Sequence, residues 1–181
     1  MRFKTFKSEG IIISRKNFSE ADRLITLFTK DFGKITLLAK GVRKPKSRKR
    51  GSLEIFTLVS FQASETNSIN LITEVTAINN FPKIRNNLKR TSVAFFICEL
   101  VSRLTQYEEP HLDLFFLVVN TLKNLQTSQK LRVLRENFIK DSVVLLGFWP
   151  SYKKIDFPDK LVEEIAEKRL SSIKIGKLLS S

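Results

Sequence analysis

The sequence predicts an α+β chain: a small strand-built unit over residues 1–80, followed by an all-α helical domain over residues 81–181. Three observations carry this prediction. Up to residue 80, short apolar runs rich in β-branched residues alternate with polar positions and are bounded by polar turns, as in half-buried strands. At Phe81-Pro82 the apolar spacing changes to three and four, the period of a helix. Between the third and fourth strands, residues 40–50 carry seven Lys or Arg and no acid. This run marks a long connection, because it has almost nothing to bury. Like charges repel, so it is expected to stay extended or mobile until a polyanion or an acidic partner neutralises it.

Each element follows from its own stretch. "EGIIISRKNF" is the first strand. "DRLITLFTKDFG" sets Leu24, Thr26 and Phe28 on one face and Ile25 and Leu27 on the other. "GKITLLAK" is the third, joined to the second through the short turn Asp31-Phe32-Gly33 as a hairpin. "NFSEADRL" could start a helix, with Ser19 as cap, but the β-rich run after it argues for a turn. "LEIFTLVSFQAS" and "SINLITEVTAINNF" complete five short strands, which points to a small barrel or sandwich. The first helix contains Leu88, Val93, Ile97, Leu100, Val101 and Leu104, is apolar over most of its circumference, and is expected at the centre of the helical part. A second opens at Glu109 with Pro110 in its first turn, and a third runs from about Gln129 to Leu146 and ends at Gly147. Beyond it lie the loop "FWPSYKKIDFPDK" and a closing helix "DKLVEEIAEKRL". No linker of low complexity separates the two parts, which are expected to pack together.

With 181 residues, 42% of them hydrophobic, the chain can build one ordinary core or two small ones. A net charge of +14 and a pI near 10.1 imply a positive exterior field that attracts nucleic acid or anionic lipid. Lipid is the weaker reading, since the longest apolar stretches, "VAFFICELV" and "LDLFFLVV", are too short to span a bilayer and no signal peptide opens the chain. The expected location is the cytoplasm, at the nucleoid, with no membrane partner. One cysteine, Cys98, and one histidine, His111, allow neither a disulfide nor a cysteine-based metal cage. Catalysis finds no base for a nucleophile: His111 follows Pro110 at a helix start, the adjacent Glu108 and Glu109 point apart, and there is no phosphate-binding glycine loop. A protein without cofactors that is not an enzyme is expected.

The phrases "EGIII", "SEADRLITLFTKDFGKI", "LAKGVRKPKSR" and "GSLEIFTLV", in this order and spacing, resemble the N-terminal domain of the bacterial recombination mediator family RecO. Weaker similarity runs through "TEVTAINNFPKIRNNLKRTSVAFFICEL" and reaches Pro150 through "LRENFIKDSVVLLGFWP". The resemblance implies an oligonucleotide-binding (OB-fold) barrel of five strands followed by a helical domain. It also implies binding of single-stranded DNA, annealing of complementary strands, and loading of a RecA-type recombinase on DNA coated by the single-strand-binding protein SSB, together with RecR. Many relatives carry a four-cysteine zinc module after the helix corresponding to residues 131–146. Here "FWPSYKKIDFP" stands in that place without a cysteine, so no zinc is expected.

Small barrels of this type bind single strands in a groove where cations follow the backbone and aromatics stack on bases. Lys40, Arg43, Lys44, Lys46, Arg48, Lys49 and Arg50 are therefore the first candidates for DNA contact, with Arg15, Lys16, Arg23 and Lys34 as auxiliaries. Duplex DNA could use the same charges. The plain alternative is a solvated loop, but seven like charges cost the folded state unless a polyanion offsets them. Nothing in the run can read base edges in register, so little sequence specificity is expected. Phe18, Phe32 and Phe61, near strand ends or turns, are candidate stackers, whereas Phe28, Phe56, Phe95, Phe96 and Phe138 read as core. On the helices, Arg103, Arg132, Arg135 and Lys140 could form a basic rim for the acidic C-terminal tail of SSB, an inference from the family; ordinary pairing with Glu99 and Glu136 explains them as well. The rival function is a module that binds RNA or an acidic protein in the translation machinery.

Overall fold

In the computed structural model, which describes residues 4–166, the five predicted strands close into a barrel: β1 Thr5–Asn17, β2 Arg23–Thr29, β3 Gly33–Ala39, β4 Leu58–Ser64 and β5 Leu71–Asn79. The order around it is β1-β2-β3-β5-β4 and back to β1, with every pair antiparallel except β3 with β5, the arrangement of an OB-fold. Closure falls to β1, which is 13 residues long and serves two neighbours. Thr5 to Ile11 pairs with β4, Gly10 to Asn17 pairs with β2, and an irregularity between Ile12 and Ser14 turns the strand from one partner to the other.

Alternation places one face of each strand inside. Ile12, Ile25, Leu27, Ile35, Leu37, Val59, Phe61, Ala63 and Ile72 fill the barrel, and each of them larger than Ala63 contributes about 1.5–3 kcal/mol by leaving water. Val42 and Leu53, from the long β3–β4 connection, lie in the same core and are fully buried. The expected fourth strand therefore needs correcting: it begins at Leu58, not Leu53. Leu53 to Thr57 folds inward as turns, with Phe56 at φ +57° donating its amide to the Ile12 carbonyl at 2.8 Å.

The helical elements are α1 Pro82–Arg85, absent from the sequence reading, then α2 Leu88–Leu104, α3 Leu112–Leu125, α4 Leu131–Leu145 and α5 Pro158–Ile165. Asn87 caps α2 by accepting the Arg90 amide, and the Thr105 hydroxyl closes it onto the Val101 carbonyl. Phe96, Ile97, Leu100 and Val101 of α2 are buried, as are Phe115, Val118 and Leu122 of α3 and Phe138, Ile139 and Val143 of α4. Cys98 is buried among them, and desolvation pushes its thiol up to about 12. Two apolar residues assigned to the interior lie outside: Phe95 is 44% and Leu88 68% exposed. Gly147, at φ +74°, ends α4 in the expected left-handed conformation. The last four residues of the expected closing helix lie outside the described residues.

The chain divides into two compact units, and the division is not a single cut. Residues up to Asn80 form the first together with Gln106–His111; Phe81–Thr105 and the residues from Leu112 onward form the second. The second long helix therefore starts three residues later than Glu109 suggested. Glu108 takes φ +60° and donates its amide to the Lys34 carbonyl at 3.0 Å, while Tyr107 bridges to Lys34, so this segment continues the barrel and cannot be helical. Pro110 precedes the helix.

Candidate nucleic-acid interface

Two connections at one end of the barrel are joined by hydrogen bonds. The β1–β2 turn closes on itself through the Phe18 amide and the Asp22 carbonyl. The start of the β3–β4 connection is then fastened to it three times: the Arg43 amide donates to the Ala21 carbonyl at 3.0 Å, the Gly41 amide to Asp22 Oδ1 at 2.8 Å, and Arg43 Nη1 to the Ser19 carbonyl at 2.9 Å. The connection continues through turns in which Lys44, Ser47 and Ser52 donate backward to Gly41, Lys44 and Lys49. At its far end Lys49 Nζ donates to the carbonyls of Ile72 and Thr73 on β5, at 3.1 and 2.6 Å. The basic run is therefore folded, contrary to the expectation of an extended or mobile segment. Val42, buried in the barrel, and Lys49, tied to β5, hold it at both ends against self-repulsion.

This folding sorts the cations. Lys40, Lys44, Lys46, Arg48 and Arg50 are exposed, and none forms an ion pair among the described residues. Arg43 is exposed but commits one donor to the turn. Lys16, near the end of β1 and opposite Leu24, is exposed as well. Arg15 and Arg23 both ion-pair with Glu54, which the sequence reading passed over because it lies outside the acid-free run. Burial, then Arg15, hold the Arg23 guanidinium below the usual arginine range. Lys34 must be removed from the contact set. It is only 6% exposed, lies 4.6 Å from the Tyr107 ring centroid, and burial lowers its pKa. No local signal marks Tyr107, which arrives from a distant part of the chain.

The aromatic candidates separate in the same way. Phe18 is 54% exposed at the β1–β2 turn beside the cations. Phe61 is buried in the barrel core and cannot stack on a base. Phe32 is half-buried against that core and meets Phe6 edge to face at 4.9 Å.

In the helical unit three of the four basic residues have acidic partners. Arg103 pairs with Glu99 at 3.2 Å and Arg132 with Glu136 at 2.8 Å, each one helical turn away. Arg135 pairs with Asp159 and lies 3.9 Å over the Phe96 ring. Lys140 is half-buried. A cavity of about 560 Å³ between α3 and α4 is lined by Leu117, Asn120, Val133, Leu134, Asn137 and Phe138 among others, and none of the four lines it. Among the described residues, no helix is long and apolar enough to cross a membrane.

Comparison with known proteins gives a consistent picture. The family models described as "Recombination protein O N terminal" and "Recombination protein O C terminal" match residues 1–81 and 85–154. A DNA repair protein RecO from Pelotomaculum thermopropionicum is 32% identical over 147 residues, covering 81% of this chain and 57% of the relative. One from Listeria monocytogenes is 28% identical over 148 residues, covering 82% and 58%. One from Desulfitobacterium hafniense is 33% identical over 117 residues, covering 65% and 43%. The chain thus spans roughly half the length of the curated relatives it matches.

Proposed function

The chain belongs to the RecO family, and on that premise we propose that it acts in DNA repair and recombination by binding DNA, without catalysis. Its barrel holds single-stranded DNA, and duplex DNA as well, on the face made by the β1–β2 turn and the β3–β4 connection, with little regard to sequence. Binding of two strands there neutralises both and brings them together, which is what annealing requires. Loading of a RecA-type recombinase on SSB-coated DNA, with RecR and the SSB tail as partners, is the place of such a surface in the family's work.

One observation carries this reading. Lys40, Lys44, Lys46, Arg48 and Arg50 stay exposed, without ion pairs among the described residues, on a connection that is itself folded and anchored. A loop that served only solubility would need neither the buried Val42 nor the Lys49 clamp, whereas a pre-ordered row of cations avoids the ordering cost when a polyanion arrives. The test is binding of a fluorescent oligothymidylate across a salt series, for the native chain and for a variant with those five residues changed to alanine. If about four of them meet phosphates, the log–log slope of the variant is flatter than that of the native chain by about 3. Equal slopes would place the site elsewhere.

A further inference from the structure

The turn that follows the basic run brings one carboxylate into a group of arginines. Pairing on β1 and β2 sets Asn17 opposite Arg23, and the period of two puts Arg15 on the same face as Asn17. Arg15 Nη1 and Arg23 Nη1 both face Glu54 Oε1, the second at 3.8 Å. Two guanidiniums thus share one carboxylate oxygen, and Arg43 and Arg50 add their positive fields at Arg23. Arg23 Nε donates to Asn17 Oδ1 at 3.3 Å, but its Nη1 is buried without a hydrogen bond, because 3.8 Å to the carboxylate is too long for one. Buried donors in native proteins are almost always satisfied, and a guanidinium among like charges needs an anion more than most.

Building on the DNA-binding reading above, we propose that this arginine cluster is the seat of one phosphodiester of a bound strand, and that the Glu54 carboxylate occupies the seat until the strand displaces it. The exchange balances in charge, since a phosphodiester brings one negative charge. It also brings two non-bridging oxygens, which can satisfy Arg15 and the orphaned Arg23 Nη1 together, as a single shared Oε1 does not. Glu54 is free to leave: its backbone is held in a turn by the Thr57 amide at 3.1 Å, while its side chain is 34% exposed and reaches water by rotation.

The displacement sets a threshold. A free anion must compete with a tethered carboxylate, whereas a phosphate of a strand already held by Lys44, Lys46 and Arg48 arrives at high effective concentration. The seat therefore favours polymer over mononucleotide. Arg15 and Arg23, ion-paired in the free chain, become contacts only in the complex.

Glu54→Gln tests this in the opposite direction from an ordinary site mutation. Removing the competing charge should tighten oligothymidylate binding on the order of fivefold at fixed salt and steepen the salt slope by up to about 0.7. The same or weaker affinity at an unchanged melting temperature would overturn the inference. Should Glu54→Gln lower the melting temperature, the native chain decides: on saturation with oligothymidylate the Nε–Hε resonances of Arg15 and Arg23 shift if the seat is filled, and unmoved resonances remove the inference. A native chain that binds no oligonucleotide removes the functional reading and the inference with it. One that binds, beside a Glu54→Gln chain of unchanged melting temperature that binds no better, removes the inference alone.

Discussion

Lys34 Nζ stands 4.6 Å from the centroid of the Tyr107 ring, although the two residues belong to segments separated by the start of the helical unit. Around this contact Gln106–His111 is bound to β3 as part of the barrel, through the Glu108 amide on the Lys34 carbonyl. The first unit therefore includes a segment that lies beyond α2 in sequence.

Gly33 is the position most sensitive to this return. It sits at φ +63°, and a Cβ there would lie 2.1 Å from the Glu109 carbonyl oxygen, a backbone atom that cannot swing aside. Gly33→Ala is expected to destabilise the chain by roughly 3 kcal/mol or more, lowering the thermal midpoint by about 6–12 °C. A melting curve coincident with that of the native chain would show that the segment does not close on β3.

Burial disfavours the Lys34 ammonium, so its folded pKa lies below 10.5. Between the folded value and 10.5 the unfolded chain binds the extra proton, and stability from this group rises with pH; it is fully present above 10.5 and lost as pH falls through the folded value. Compared with Lys34→Met, the native chain should gain in urea midpoint as pH is raised from about 8 to about 10.5. A difference independent of pH would place Lys34 in water.

Lys49 already gives its ammonium to the Ile72 and Thr73 carbonyls. Lys49→Met is expected to cost about 1–3 kcal/mol of stability in urea melts. Its salt slope for single-stranded DNA should stay within error of native, the ammonium being committed to those two carbonyls. A slope reduced by about 0.7 would make Lys49 a direct contact.

Phe18 offers an exposed ring beside the cations. Phe18→Ala should weaken single-strand binding by about 1–3 kcal/mol without changing the salt slope, and should leave duplex affinity unchanged, since paired bases cannot stack on it. Equal losses for both substrates would point to a disturbed turn.

Legibility followed the range of the information. Strand number, the hairpin at Asp31 to Gly33, the switch at Phe81 and the αL cap at Gly147 were all readable, because alternation, turn residues and caps act within a few positions. Phe61 and Phe95 were misread for a related reason: apolar spacing marks a face, and only the neighbours packed on it decide whether it is covered. Phe61 alternates with the exposed Ser60 and so points into the barrel, while Phe95 on α2 stays 44% exposed.

The sequence by itself determined that this chain carries a large positive excess and where along the chain it is densest. Only the tertiary structure decided which cations remain available. Lys34 is covered by Tyr107, Lys49 is fastened to β5, and Arg15 and Arg23 converge on Glu54, whereas Lys40, Lys44, Lys46, Arg48 and Arg50 face water. Charge is a property of each residue and can be summed along the chain, but desolvation and pairing depend on partners brought from elsewhere in the sequence by the closing of the barrel.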